Sequence, residues 1–198
     1  MARPRRPSST GWYHVLGRGN NRQALFLEDA DYRRFLEILD DHRKLRSVRI
    51  AHYCLMPNHV HFLLHSDLRG TLSKCLQGIN LSYSWWYRRR YDFCGHVWQG
   101  RFKSLPIENE GYLLECGRYI ERNPVNAEMT ARPEGYLWSS YRFYVDGTRN
   151  PLVTPDPGYL ECGKDDRERR RRYREYVETV RPYELPEPER LLPVFQGG

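Results

Sequence analysis

The segment from residue 48 to residue 64 constrains the fold more than any other part of the sequence. Two short runs rich in β-branched and aromatic residues, 48–55 and 59–64, are separated only by Met56-Pro57-Asn58. Apolar runs of this length on either side of a proline–asparagine turn are typical of strands. We therefore predict two consecutive strands joined by a tight turn.

Helical patterns lie on both sides of this strand pair. Apolar residues recur every three to four positions over 30–46 and again over 71–90, which predicts two helices. Short strand-like runs at 12–16 and 97–105 complete a β-α-β-β-α-β order, and a further helix is predicted at 109–122. This order predicts an α+β, ferredoxin-like (split βαβ) fold, a four-stranded antiparallel sheet with helices on one face.

The remainder of the chain divides into an arm and an extension. Residues 1–10 are predicted to form a flexible basic arm, and 11–145 a globular domain. Residues 146–198 read as a loop, a basic helix at 165–180 that contains four consecutive arginines, and a proline-rich tail. We predict a helical C-terminal extension.

Charge and composition narrow the class of protein. Lys and Arg number 32 against 25 Asp and Glu, a net charge of +7, and 14% of residues are aromatic, which favours an anionic partner such as nucleic acid. No apolar run approaches the ~20 residues of a membrane span. The five cysteines form no C-x-x-C pair, which argues for a reducing cytoplasm and against a disulfide scaffold or a four-cysteine zinc site.

His59 and His61 form the most informative motif. Residues i and i+2 of a strand point to the same side, so both imidazoles are expected on one face and Val60 and Phe62 on the other. Two imidazoles on one face make half of a metal site. The alternative is that both are ordinary polar residues of an exposed face.

Two tyrosines of the helix at 109–122 are candidate nucleophiles. Tyr112 and Tyr119 can each be an amphipathic core residue with a solvated hydroxyl. A tyrosine can also form covalent intermediates, but with an ordinary pKa of ~10 it needs a nearby cation or metal to act at neutral pH. The histidine pair would supply a place for that metal.

Several basic and amide side chains are candidates for binding a nucleic acid. Aromatic residues and arginines alternate over Trp85–Tyr91, as in single-strand grooves, although the arginines could also be a solvated helix end. Amides in the glycine- and asparagine-rich turn after the first strand could read base edges. The candidates are Arg18, Asn20, Asn21, Arg22, Arg88, Arg89, Arg90, Arg101 and Lys103.

Four segments occur in the order found in one family. They are Tyr13–Asn21, Tyr53–His61, Gln99–Ser104 and Tyr112–Ala127, and Trp138–Tyr141 matches a further segment. Over 11–145 the chain resembles the REP-associated tyrosine transposases, a branch of the single-tyrosine HUH transposases. The resemblance implies an HUH nuclease fold in a transposase-like catalytic domain.

The resemblance also implies a reaction. His59 and His61 would bind Mg²⁺ or Mn²⁺, and Tyr112 would be the nucleophile that cleaves single-stranded, hairpin-forming DNA. A 5′-phosphotyrosine and a free 3′-hydroxyl would result, and a second 3′-hydroxyl could rejoin strands. This branch tends to act as a monomer, whereas some relatives exchange the tyrosine helix within a dimer.

One position departs from the pattern. Relatives can carry a Gln or Asn metal ligand one turn after the catalytic tyrosine, where this chain has Cys116. The third ligand would then be absent, a water, or Glu115. Two other functions stay open: a non-catalytic ferredoxin-like nucleic-acid-binding module, and a metal-dependent phosphodiesterase that uses water while Tyr112 is structural.

Overall fold

A four-stranded antiparallel sheet forms the centre of the computed structural model, which describes residues 7–67 and 70–179. The spatial strand order is β2-β3-β1-β4, which is the ferredoxin-like arrangement that the sequence predicts. The strands are β1 (Trp12–Arg18), β2 (Arg49–Met56), β3 (His59–His65) and β4 (Lys103–Ile107). The helices are α1 (Asp29–Leu45), α2 (Thr71–Tyr91), α3 (Leu113–Asn126), α4 (Tyr141–Asp146), α5 (Pro157–Leu160) and α6 (Asp166–Glu178).

The sheet separates two apolar cores. Val60, Phe62 and Leu64 of β3 pack with α1 and α2 on one face. Leu63 packs with Leu113 and other residues of α3 on the opposite face. Both faces are therefore covered, and α3 lies across the sheet from the first two helices.

The fourth strand begins later than the sequence predicts. Before Lys103 the pairing is reduced to one isolated antiparallel bridge between Trp98 and Gly19, just after β1. In this bridge the Gln99 N–H donates to the Arg18 carbonyl (2.9 Å) and the Asn20 N–H to that of Val97 (2.9 Å). Trp98 is buried in the core below α1 and α2. This stretch thus keeps one bridge of the predicted pairing, and its aromatic residues fill a core.

Helix α3 also differs from its predicted bounds. A single 3₁₀ turn, Glu110–Tyr112, precedes it, and the helix continues through Pro124 to Asn126. Proline lacks the N–H that would bond the carbonyl of Ile120. The Asn123 side chain replaces that bond, since its Nδ2 donates to Ile120 O at 3.3 Å and to Tyr119 O at 2.9 Å.

Both edges of the sheet are protected. At the β2 edge, Ile50 forms a bridge with Val153 and Cys54 forms one with Ser139. At the β4 edge, Pro106 lacks an N–H, and the Ser8 hydroxyl donates to the Ile107 carbonyl (3.0 Å). Segments that precede β1 and follow α3 therefore complete the sheet.

The C-terminal helix is basic, but its charges are largely engaged in the protein. Arg169 pairs with Asp166, Arg171 with Glu175 and Arg172 with Glu168, all one turn apart. Helix α6 is held on α3 by two arginines that donate to its last carbonyls: Arg118 to Thr179 O (2.8 Å) and Arg122 to Val177 O (3.0 Å). The arginine run thus contributes mainly to a solvated, internally paired face.

Two predicted regions lie wholly or partly outside the described residues. These are most of the basic arm and the proline-rich tail from Arg181 onward. Within the part of the chain that the structure describes, no helix has the length and apolarity that crossing a membrane requires.

A buried histidine of β2, His52, joins the C-terminal extension to the sheet. Its Nδ1 lies 2.9 Å from Glu121 Oε1 on α3, and its Nε2 lies 2.9 Å from Asp156 Oδ2, ahead of α5. The His52 side chain is fully buried. Glu121 also accepts from the hydroxyls of Tyr173 (2.8 Å) and Ser140 (2.6 Å). The network thus ties β2, α3 and the segments around α4, α5 and α6 together.

The two carboxylates keep His52 protonated. Burial by itself lowers the pKa of His52, but the Glu121 and Asp156 charges outweigh burial and raise that pKa to about 9. Burial by itself raises the pKa of Asp156, but the hydrogen bond and the charge of His52 outweigh burial and lower that pKa. At neutral pH the cluster is an imidazolium between two carboxylates.

We expect stability to fall as this imidazolium is lost. The folded-state pKa of about 9 exceeds the ordinary value of 6.5, so the contribution is complete below pH 6.5 and disappears as the pH rises through 9. The difference corresponds to about 3 kcal/mol of unfolding free energy. Urea unfolding between pH 6 and pH 9.5 measures it. His52→Gln should be less stable and lose this pH dependence, and equal slopes for both proteins would contradict the assignment.

Candidate active site

The two histidines of the His-x-His motif lie on the face that α3 covers. Their ring centroids are 5.0 Å apart, while Val60 between them points into the opposite core. The strand period therefore places both imidazoles as the sequence predicts. His61 is buried and His59 is partly buried, because His59 stands at the turn where β3 begins.

A third histidine, which sequence reasoning did not single out, completes the group. His14 on β1 lies with its Nε2 3.2 Å from His61 Nδ1, and the two rings stack. The pairing of β1 with β3 creates this contact, since His14 is opposite Leu63 and so shares its face. The signal available in sequence was the position of His14 in the first strand.

All three imidazoles are held neutral. Burial lowers the pKa of His14 to about 4 and, with a smaller effect of Arg18, lowers that of His59 to about 4. Burial also lowers the pKa of His61 well below its ordinary value, and its neighbours His59 and His14 add to the effect. Neutral imidazole is the form that binds metal ions.

The tyrosine beside these histidines is Tyr119, not Tyr112. The Tyr119 ring centroid lies 5.8 Å from that of His61 and 5.7 Å from that of His14, with both contacts edge to face. Tyr112 lies in the 3₁₀ turn, 39% exposed and two helical turns before Tyr119, or about 10 Å along the axis. Within residues 7–67 and 70–179, no ring contact joins Tyr112 to these histidines.

The environment of Tyr112 also disfavours its anion. Burial, followed by the nearby Cys116 and Glu115, raises the pKa of Tyr112 to about 12. Cys116 is buried in the α3 core, and burial raises the pKa of its thiol. Glu115 accepts a hydrogen bond from Tyr176 of α6. Both candidates for a third ligand near Tyr112 therefore have structural roles.

An amide stands one turn after Tyr119. Asn123 is four residues further along α3, on the same stripe of the helix. Its Nδ2 donates to two backbone carbonyls, which leaves Oδ1 as the side-chain atom that could bind a metal ion. An amide thus stands one turn after Tyr119, whereas a thiol, Cys116, stands one turn after Tyr112.

Two cations stand beside the histidine pair. Arg18 is directly opposite His59 in the β1–β3 register. Leu16 is opposite both His61 and Lys103, so Lys103 lies on the same face of the sheet two strands from His61. Sequence reasoning proposed both residues for nucleic-acid binding, and the register brings both to the side of the sheet that carries the histidines.

The turn after β1 approaches the same end of the sheet. Asn20, Asn21 and Arg22 form one 3₁₀ turn, in which Asn21 and Arg22 are exposed. The Gly19 N–H donates to the Asn58 carbonyl (2.8 Å), so this turn lies against the β2–β3 turn that precedes His59.

The arginines at the end of α2 have different surroundings. Arg90 pairs with Glu28 and Asp31, and Arg88 donates to the Gly95 carbonyl (2.8 Å). Arg89 stacks over Trp85, with its guanidinium carbon 5.6 Å from the ring centroid. Trp85 is 64% exposed although it is among the largest apolar side chains.

A long groove runs along α2 beside these residues. It encloses about 1890 Å³ between α2, the 96–102 segment and the residues before β1. This exceeds the ~300–1,000 Å³ of ordinary small-molecule pockets and suits an extended ligand. Its lining includes Asn80, Trp85, Arg88, Arg89 and Arg101.

The histidine pair fits a divalent metal ion as an incomplete site. His59 uses Nδ1 for a hydrogen bond to Asn58 Oδ1 (2.7 Å), and His61 Nδ1 faces His14, which leaves the Nε2 atoms as ligand positions. Among the described residues no group of three or more His, Cys, Asp or Glu side chains is arranged to hold a metal ion. Further ligands would have to be amide, water or substrate oxygens.

A solved transposase structure has the same fold. A REP-associated tyrosine transposase bound to a REP hairpin superposes with a TM-score of 0.57 at 18% identity, over 80% of this chain and 93% of that one. A transposase candidate from Deinococcus radiodurans R1 gives a TM-score of 0.43 at 15% identity, over 68% of this chain and 97% of that one. No curated protein matches the sequence.

The sequence itself identifies the family. The profile of the IS200-like transposases matches residues 8–123, which is more than half of the 198-residue chain. The chain belongs to this family of transposases. The matched region includes all four strands, the histidine pair, both tyrosines and Asn123.

We expect Mn²⁺ binding to depend on the motif histidines. His61→Ala removes one of the two imidazoles that would bind the ion. It should abolish Mn²⁺ binding, which is measured as the loss of the electron paramagnetic resonance signal of the free ion. His65→Ala is the matched control, because His65 lies on the same face of β3 but packs against Trp12 at the other end. Equal loss in both variants, or none in His61→Ala, would contradict the site.

Proposed function

We propose that this transposase cleaves and rejoins single-stranded, hairpin-forming DNA through a covalent tyrosine intermediate, and that Tyr119 is the nucleophile. The resemblance described above implied Tyr112 as the nucleophile, and we propose Tyr119 in its place. The observation that carries the proposal is the contact of the Tyr119 ring with His61 and His14, beside His59.

Asn123 supports the same choice independently. Relatives can place an amide ligand one turn after the catalytic tyrosine, and counting from Tyr119 gives Asn123 instead of Cys116. An amide oxygen suits Mg²⁺ or Mn²⁺, whereas a neutral, buried thiol does not. We infer that Nε2 of His59, Nε2 of His61 and Oδ1 of Asn123 face the metal position.

The chemistry follows from these side chains. A divalent ion at this position would polarise a non-bridging oxygen of the scissile phosphate. The Tyr119 oxygen attacks phosphorus as the bond between phosphorus and the 3′ oxygen breaks. The phenol loses its proton, and the departing 3′ oxygen gains one and becomes a 3′-hydroxyl. The strand remains attached as a 5′-phosphotyrosine, and a second 3′-hydroxyl can reverse the step. Arg18 and Lys103 would balance the phosphate charge.

The groove along α2 supports a nucleic-acid substrate. Trp85 offers an exposed ring on which a base can stack, and Arg89 and Arg101 supply positive charge along the same surface. The REP-associated transposase that shares the fold is bound to a REP hairpin. We infer a hairpin substrate of comparable kind, which would serve transposition or the processing of repeats.

The tyrosine assignment has a direct test. Tyr119→Phe should abolish the covalent protein–DNA adduct with Mn²⁺ and pooled hairpin oligonucleotides, while binding changes less than about twofold, because only the hydroxyl is removed. Tyr112→Phe, the matched control two turns earlier, should form the adduct at a normal rate. Denaturing gel electrophoresis of labelled DNA detects the adduct.

Other outcomes identify the alternative functions. Adduct formation by Tyr119→Phe but not by Tyr112→Phe would overturn the assignment in favour of Tyr112. Cleavage without any adduct would indicate a water-dependent phosphodiesterase. Binding with neither cleavage nor adduct would indicate a non-catalytic nucleic-acid-binding module.

We expect the α2 arginines to contribute unequally to DNA binding. Arg89 is exposed and stacks on Trp85, whereas Arg90 is already neutralised by Glu28 and Asp31. Removing one arginine–phosphate interaction reduces the slope of log K against log salt by about 0.7 for single strands. Arg89→Ala should therefore flatten the slope more than Arg90→Ala in filter-binding assays at several salt concentrations. Equal slopes would place the DNA elsewhere.

A further inference from the structure

The β2–β3 turn contains an amide that contacts two parts of the site at once. Asn58 precedes His59, and its side chain reaches both the His59 ring and the backbone of the turn Asn20–Arg22, here called the 20–22 turn. We propose that Asn58 is a positioning residue that sets the tautomer of His59 and couples it to the 20–22 turn. The metal and DNA parts of this inference rest on the function proposed above.

The orientation of the Asn58 amide follows from its neighbours. The Arg22 carbonyl lies 3.2 Å from Nδ2, and a carbonyl oxygen can only accept a hydrogen bond. The amide nitrogen must therefore face Arg22, which turns Oδ1 toward His59 Nδ1 at 2.7 Å. Because Oδ1 also only accepts, His59 must carry its proton on Nδ1.

This proton position prepares His59 as a ligand. A neutral imidazole has one N–H, so a proton on Nδ1 leaves the lone pair of Nε2 available. A partner that fixes the tautomer of a ligating histidine typically changes metal affinity 10–100-fold when it is removed. Asn58 thus has the position and the chemistry of such a partner.

The other end of the amide holds a strained turn. Asn21 and Arg22 have φ values of 49° and 59°, in the left-handed region that side chains other than glycine rarely occupy. Such residues persist only where the surroundings hold them. Within the turn, the Arg22 N–H donates to Gly19 O (3.1 Å) and the Gln23 N–H to Asn20 O (2.9 Å). Outside it, the Asn20 N–H and the Gln23 side chain donate to Val97 O (both 2.9 Å). The contacts to the β2–β3 turn are the Gly19 N–H to Asn58 O (2.8 Å) and the Asn58 side chain itself.

The two ends act on each other through one rigid group. An amide is planar, so a displacement of the Arg22 carbonyl rotates Nδ2 and carries Oδ1 away from His59. Asn20, Asn21 and Arg22 are also candidates for reading the DNA. A strand that leaves the 20–22 turn in place would keep Nε2 of His59 ready for the metal, and a strand that displaces the turn would not.

Two substitutions separate the two roles. Asn58→Asp keeps an oxygen that accepts from His59 Nδ1 but removes the donor to Arg22. Asn58→Ala removes both hydrogen bonds. Asn150→Ala is the matched control, since Asn150 also makes two side-chain hydrogen bonds, to Tyr53 and Leu152, in a different loop.

The first measurements need no DNA. In ¹⁵N-histidine NMR spectra at pH 8, the wild-type protein, Asn58→Asp and Asn150→Ala should show His59 protonated on Nδ1, and Asn58→Ala should not. Mn²⁺ affinity should fall about tenfold in Asn58→Ala and stay within about threefold in Asn58→Asp. The backbone amide signals of Asn21 and Arg22 should shift in both Asn58 variants and stay unchanged in Asn150→Ala.

Specific results would overturn the inference. If Asn58→Ala keeps the wild-type tautomer of His59, the wild-type Mn²⁺ affinity and the wild-type melting temperature, Asn58 has no positioning role. Unchanged Asn21 and Arg22 signals in Asn58→Asp would remove the coupling. Because these measurements use the free protein and Mn²⁺ alone, they succeed or fail separately from the proposed DNA cleavage, whose failure appears as a missing adduct in the wild-type protein.

Discussion

The alternation of side chains along β3 is the constraint on which the rest of the structure depends. One set of residues supplies the core beneath α1 and α2, and the other set, which includes His59 and His61, faces α3. A shift of one residue in the pairing of this strand would exchange the sets and bury the imidazoles in an apolar core. The packing of both faces thus fixes the side on which the chemistry occurs.

The period of the strands made the fold and the histidine pair predictable. Helical and strand periods gave the order of elements, and a period of two placed His59 and His61 together. The choice between tyrosines was not accessible in the same way. Tyr112 and Tyr119 are seven residues apart and share a helical stripe, so their spacing alone does not decide which one meets the histidines. The sequence signal that favours Tyr119 is Asn123, one turn further along, where Cys116 follows Tyr112. His14 was missed because its role arises from pairing between strands distant in sequence.

Charge patterns were a weaker guide than periodicity. Arg88, Arg89 and Arg90 look equivalent in sequence, yet Arg90 is neutralised by acidic residues of α1 and its N-cap, and Arg89 stacks on Trp85. The arginines of α6 find acidic partners one turn away on their own helix. Similarly, the fourth strand was predicted too early. Residues 97–102 keep only the bridge between Trp98 and Gly19, and Trp98 and Phe102 fill a core, which apolar content alone does not distinguish from a continuous strand.

The protected sheet edges have a consequence for assembly. Strand addition requires a free row of N–H and C=O groups, which is also how sheets of two molecules join. Here Val153 and Ser139 bridge to the outer strand β2, and Pro106 interrupts the donors of β4. A continuous intermolecular sheet is therefore disfavoured at either edge. Among the described residues, helical surfaces are therefore better suited than the sheet edges to contact a second copy of this transposase.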